Sequence, residues 1–258
     1  MMDVSKTPLW GRRALLTAGA VGMAGLLSGC DALSRNQTFQ NILSSAEDAN
    51  FLVHRALGDR MELASEYSIA DLSPKFRPNG TRDPGTRDYA ASAAQGFADW
   101  QLRLTGLFAK PQSFSLSALQ SMPQRTQITR HDCVEGWSAI GQWTGVPLKL
   151  LLDLAQLRGS ARFLVFHCAD KLGGRPYYES IDLLDAFHPQ TMLSHRLNGE
   201  ALPIENGASL RLRVERQLGY KHAKYVTGVE AVATLDNIGG GKGGYWEDVA
   251  NYEWYAGV

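Results

Sequence analysis

The sequence predicts a single α+β domain, mostly strand, with helices inserted between the strands. Three observations carry this. In "SLRLRVE" Leu210, Leu212 and Val214 alternate with Arg211 and Arg213. "ARFLVFHCAD", 161–170, is a nearly continuous apolar run of the kind buried on both faces. Pro147 opens a stretch with apolar residues at 148, 150, 151, 152 and 154, a helical spacing. With 44% apolar residues in 258, the chain can bury a full core. Its 26 basic and 26 acidic side chains leave no excess of the kind that nucleic acid or an anionic membrane surface attracts.

Residues 1–29 stand outside that core. Gly11-Arg12-Arg13-Ala14-Leu15-Leu16 opens with a twin arginine, and small and apolar residues follow to Leu27, about half the length of a bilayer span. The stretch ends in Leu27-Ser28-Gly29-Cys30, which resembles a bacterial lipoprotein cleavage site. This predicts a twin-arginine signal, removed to leave Cys30 lipidated at the inner membrane and the chain in the periplasm. Asp31 resembles the inner-membrane retention signal. The alternative is a short anchor that stays uncut. The leader carries Lys6, Arg12 and Arg13 against Asp3, so its removal takes the neutral chain to −2. Twin-arginine export resembles a route for proteins that fold, and often load a cofactor, before crossing the membrane.

Residues 30–72 form a tether and an amphipathic helix. Phe39, Ile42, Leu43, Ala46, Ala49, Leu52, Val53, Ala56 and Leu57 recur at helical spacing, predicting one helix from Phe39 to about Leu63. The domain proper is 73–258. It begins with "SPKFRPNGTRDPGTRD", a cationic loop with three prolines. "FADWQLRLTGLF" and "QRTQITRHDC" follow as strands, then the helix from Pro147 to Leu157 and the strand of 161–170. Asn198-Gly199 between short runs signals a two-residue hairpin. "HAKYVTGVEAVAT" is the last long strand, and "IGGGKGGYW" is a flexible loop before an aromatic tail. That loop is no phosphate-binding P-loop, because Asp236 stands at the first glycine position and Gly243 follows the lysine.

With Cys30 given to lipid, Cys133 and Cys168 remain. In an oxidising compartment they form a disulfide, or Cys133 is a thiolate ligand to a soft metal. No CxxC, no HExxH and no zinc-spaced cluster is present. His131, two residues from Cys133, also admits a nucleophilic cysteine, with nothing else in support. In "ENGASLRLRVERQLGYKHAKYV" a turn at Gly219-Tyr220 gathers Lys221, His222 and Lys224, which is either a phosphate cradle or a solvated basic strand edge.

Cys133-Val134-Glu135-Gly136-Trp137-Ser138, then "WTGVPL" and the leucine-rich helix, resemble the molybdenum-ligand segment of the sulfite oxidase family, closest to its periplasmic methionine-sulfoxide reductase branch. "NGEALP" and the basic segment resemble that branch's second signature, and the likeness runs from about Phe76 to Val232. It implies a mostly β sulfite-oxidase-type molybdopterin-binding domain with inserted helices. It implies Cys133 as the metal ligand to a Mo-molybdopterin, which disfavours a disulfide, and Asn79, Asn206, Arg211 and His222-Ala223-Lys224 as holders of the pterin and its phosphate. Cys168 falls where the reductases carry a threonine pterin contact, and a thiol is a poorer hydrogen-bond partner there. The reductases' aromatic and acidic residues after the asparagine are replaced by Thr81-Arg82-Asp83-Pro84.

Glu135 and Trp137 are the expected substrate-pocket residues. Glu135-Gly136-Trp137 stands where sulfite oxidisers carry an arginine-bearing stretch, so a neutral sulfoxide-type substrate is expected. The alternatives are a sulfite dehydrogenase donating to a cytochrome, or a non-enzymatic lipoprotein. A membrane haem protein or cytochrome is the expected redox partner. No immunoglobulin-like dimerisation domain follows, so a monomer is expected.

Overall fold

The computed structural model describes residues 35–57 and 61–258, so the leader and Cys30 lie outside the described residues. The chain divides into two units, residues 1–58 and residues 59–258. The first contributes helix α1, Gln37–Leu57, whose start is capped by the Asn36 side chain accepting from the Phe39 amide at 3.2 Å. The helix does not reach Leu63. The Gln190 side chain pairs with both the amide and the carbonyl of Ala64 (2.8 and 2.9 Å), and His188 donates to the Glu62 carbonyl, which holds this stretch outside any helix. Among the described residues no helix is long and apolar enough to cross a membrane.

The second unit contains two five-stranded sheets. One has the order β2 (Gln112–Ser115), β1 (Gln101–Gly106), β10 (Val226–Val232), β5 (Phe163–Leu172), β6 (Arg175–Asp182), with β1 and β10 parallel. The other has the order β3 (Arg125–Cys133), β4 (Trp137–Pro147), β7 (Met192–Leu197), β8 (Glu200–Ala201), and β9 (Arg211–Arg213) pairs with β7. Helices α2 (Arg87–Ala94), α3 (Leu116–Ser121), α4 (Leu148–Ala155), α5 (Leu183–Ala186) and α6 (Tyr245–Ala250) are inserted between strands or follow them. This is the mixed, mostly strand architecture expected.

The main core follows from the two periodicities. Leu102 and Leu104 alternate on β1, Leu164 and Phe166 on β5, and α4 adds Leu148, Leu151, Leu152 and Ala155 from one face. Each such leucine, fully out of water, contributes roughly 1.5–3 kcal/mol. The 163–170 strand is buried on both faces at Leu164–Phe166 only. His167 turns out to solvent, its ring 2.8 Å from Glu230. A smaller cluster of Phe76, Trp143, Met192 and Leu197 ties the cationic loop to β4 and β7. The Asn198-Gly199 hairpin is as expected, with φ of 52° and 83° at its two central residues.

Three expectations change. β9 does not present a solvated basic edge, for Arg211 and Arg213 are both 0% exposed. β10 begins at Val226 instead of His222, because a 3-10 turn at Gly219–Lys221 and a left-handed Tyr225 (φ 56°) occupy the residues before it. The aromatic tail carries helix α6.

Candidate active site

Cys133 ends β3 and pairs with Trp137 across a three-residue turn. Gly136 takes a left-handed φ of 83°, and its amide returns to the Cys133 carbonyl at 3.0 Å. This tight turn buries the thiol, leaving the residue 8% exposed. Burial pushes the thiol's pKa up, against the pull of the Glu135 backbone amide.

The thiol borders a cavity of about 130 Å³. Five parts of the chain wall it. The cationic loop supplies Asn79, Gly80 and Thr81, and the cysteine turn supplies Val134 and Glu135. Asp170 and Leu172 of β5 and Tyr177 of β6 form a third part. Gly219, Tyr220, His222 and Lys224 complete it with Trp246 and Tyr252 from α6 and the residue segment after it.

The cations are buried together. Lys224 donates to the carbonyls of Asn79 (2.7 Å), Glu205 (2.9 Å) and Thr81. Burial, with Arg211 adding to it, lowers its pKa to about 7. Arg211 donates to the Asn206 carbonyl and to Asn79 Oδ1, both at 3.0 Å, and burial and Arg213 push its pKa down. Arg213 is different: Glu215 grips it at 2.8 and 2.6 Å, and Trp143 lies under it at 4.3 Å. It is a structural ion pair. His131 and His222, ring centroids 5.0 Å apart, are both held neutral, first by burial and then by the arginines.

A pterin bearing a phosphate needs many donors and a positive field, and the residues present fit it. Asn206 Nδ2 and Arg211 Nε are buried polar atoms with no hydrogen-bond partner. Two cations that burial and mutual repulsion discourage are the setting in which an anion is stabilising. Among the described residues no group of three or more His, Cys, Asp or Glu could hold a metal ion.

Of the residues expected from sequence, Cys133, Glu135, Asn79, His222 and Lys224 line the cavity. Arg211 and Asn206 join it through Asn79. Ala223 contributes backbone, its carbonyl accepting from the Leu212 amide at 2.8 Å and so tying the turn to β9. Two stand apart. Trp137 does not line the cavity: its Nε1 donates to Glu135 Oε2 at 2.9 Å while its ring packs on Phe76 and His131. Cys168 borders a second cavity of about 480 Å³. It lies in the stretch where the β5–β6 pairing slips register, between His167 and Lys171. Both cysteines are free. Lys221, grouped with the phosphate cations in sequence, is neutralised by Glu179 and Glu247. Asp170 and Tyr177 carried no sequence signal. Trp246 and Tyr252 were visible only as an aromatic tail.

A family model described as the oxidoreductase molybdopterin binding domain matches residues 90–237. The chain belongs to this family, and with it to the molybdenum-dependent oxidoreductases of sulfite-oxidase type, whose cofactor is a Mo-molybdopterin. Over 258 residues it is 36% identical to a candidate protein-methionine-sulfoxide reductase subunit, YedZ1, of Azospira oryzae, covering 99% of this chain and 91% of that protein. It is 35% identical over 144 residues to the protein-methionine-sulfoxide reductase catalytic subunit MsrP of Ralstonia nicotianae, covering 52% of this chain and 44% of the relative. The sulfane dehydrogenase SoxCD of Paracoccus pantotrophus superposes with a TM-score of 0.49 at 24% identity, over 53% of this chain and 39% of that one.

Proposed function

We propose that the chain is the catalytic subunit of a periplasmic, molybdenum-dependent sulfoxide reductase in which Cys133 ligates the metal. The observation that carries this is the make-up of the Cys133 cavity. Beside the thiol stand Glu135 and the aromatic side chains of Tyr177, Tyr220, Trp246 and Tyr252. A carboxylate there opposes an anion such as sulfite, and the rings accept the alkyl groups of a neutral sulfoxide.

The roles divide accordingly. Asn79, Asn206, Arg211, His222, Ala223 and Lys224 hold the pterin and its phosphate. Bound there, the cofactor supplies a two-electron redox centre able to take an oxygen atom from substrate. Trp137 fixes Glu135 through the indole hydrogen bond, so Glu135 screens substrates by charge while Trp137 acts one step removed. Trp246 and Tyr252, with rings stacked 5.6 Å apart, keep water from the reacting group. Both relatives are named as subunits, which supports a partner subunit for this chain, and we assign electron delivery to a membrane haem protein or cytochrome. The twin arginine and the Leu27-Ser28-Gly29-Cys30 segment support export and a lipid anchor.

Elemental mass spectrometry of the exported wild type and Cys133→Ser, with paired assays of alkyl-sulfoxide reduction and sulfite oxidation, tests this. Stoichiometric molybdenum in the wild type, loss or altered spectroscopy in the variant, and turnover of the sulfoxide are expected. Turnover of sulfite alone makes the chain a sulfite dehydrogenase instead.

A further inference from the structure

Converting a sulfoxide to a thioether and water consumes two electrons and two protons, and a metal-bound Cys133 has no proton to give. Tyr177 borders both the Cys133 cavity and the second cavity. Its hydroxyl stands 3.1 Å from Glu179 Oε1 and 3.0 Å from the Tyr220 carbonyl. Three oxygens in a row thus make two contacts. Tyr177 has one hydrogen for these two acceptors: an ionised Glu179 shares it with the carbonyl, and a protonated Glu179 leaves it to the carbonyl alone.

The other carboxyl oxygen points to the protonated form. Lys221 Nζ lies 2.9 Å from Glu179 Oε2 and also pairs with Glu247 Oε1, and the three side chains are 0–1% exposed. Two carboxylates therefore share one cation in a dry site. Glu179 Oε2 and the second oxygen of Glu247 both face Gly244, where a Cβ would stand 2.5 Å from Glu179 Oε2 and closer still to Glu247 Oε2. Like charges so placed cannot both ionise cheaply. Burial pushes Glu179 well above the usual carboxylate range, Lys221 pulling back and Glu247 pushing further.

We propose that Tyr177 and Glu179 form a proton store for the Cys133 cavity, with the proton held on Glu179 Oε1 and relayed through the Tyr177 hydroxyl. This rests on the sulfoxide reading above. In the step the Glu179 O–H bond breaks, Tyr177 Oη gains that proton, and the proton Tyr177 already carried leaves toward the substrate oxygen. A second proton follows by the same route once the pair has been reloaded, and the oxygen departs as water. Two electrons come from the reduced cofactor, restored by a one-electron haem donor. Lys221 balances the Glu179 carboxylate left behind, and water in the second cavity, large enough to hold it, reloads the pair through Tyr177.

The test uses the purified holoenzyme as wild type, Glu179→Gln and Tyr177→Phe. Infrared spectroscopy should show in the wild type the carbonyl stretch of a protonated carboxyl group, absent in Glu179→Gln and shifted in Tyr177→Phe. With an alkyl sulfoxide, kcat should fall roughly 10²-fold in both variants. KM and molybdenum content should hold, and the solvent deuterium isotope effect should rise, which a merely structural ion pair would not produce. A wild type without the band, or a Glu179→Gln enzyme with full kcat and an unchanged isotope effect, overturns the store. Tyr177→Phe keeps the ring and decides the matter if Glu179→Gln fails to fold. A wild type that shows the band, loses it in Glu179→Gln and yet reduces no sulfoxide overturns the substrate reading and leaves the store standing.

Discussion

Replacing Lys224 by Met keeps the length of the side chain and removes its charge, which separates two opposite effects of that cation. In the cofactor-free chain Lys224 is a liability, because burial and Arg211 lower its pKa from 10.5 to about 7. The unfolded chain therefore holds a proton that the folded chain sheds between those values, and stability rises with pH across that window. From pH 7 to 8.5 the gain from Lys224, read as wild type minus Lys224→Met so that the opposite slope of a protonated Glu179 cancels, integrates to about 1.5 kcal/mol, or roughly 3 to 6 °C in Tm for a chain of this size. The range stops at 8.5 because burial raises Cys133 and Cys168, and their opposite contribution begins near the ordinary thiol value of 9.0. A phosphate dianion beside the ammonium restores its charge and removes the slope. Thermal melts of cofactor-free and loaded protein at pH 7 and 8.5 check this. The wild type should gain on Lys224→Met between these pH values only when cofactor-free. Equal slopes in loaded and cofactor-free wild type would refute a phosphate at Lys224.

Two further predictions concern the scaffold. A methyl group added at Gly145, where β4 and β7 slip register, would stand 2.5 Å from Ser194 Cα and nearer still to the Leu193 carbonyl. Gly145→Ala should therefore cost about 3 kcal/mol, read as a lower urea midpoint. Glu215→Ala leaves Arg213 charged, fully buried and without its carboxylate, at a cost of about 3–5 kcal/mol by the same measurement. Glu215→Gln, which keeps an acceptor, should cost less.

The elements legible in the sequence were those whose own pattern decides them. Alternation gave β1, β3 and β9, the leucine spacing gave α4, and Asn198-Gly199 gave the hairpin. What misled was burial of charge. Arg211 and Arg213 have the spacing of a solvated strand edge, and only Trp143 beneath them, with Glu215 and Asn79 beside them, makes an interior position tolerable. The site was legible where a motif carries it, at Cys133, Asn79, Arg211 and the His222–Lys224 turn. Cys168 was misplaced because a slip within one strand leaves no trace in composition. Asp170 and Tyr177 reach the cavity from neighbouring strands, an arrangement that arises only once β5 and β6 pair.

The aromatic wall made by Trp246 and Tyr252 lies far downstream of Cys133 in the chain. A ribosome releases the thiol, the cationic loop and the basic turn before it releases this wall. The pocket is thus finished last, and until α6 docks, the face it covers is open to bulky visitors.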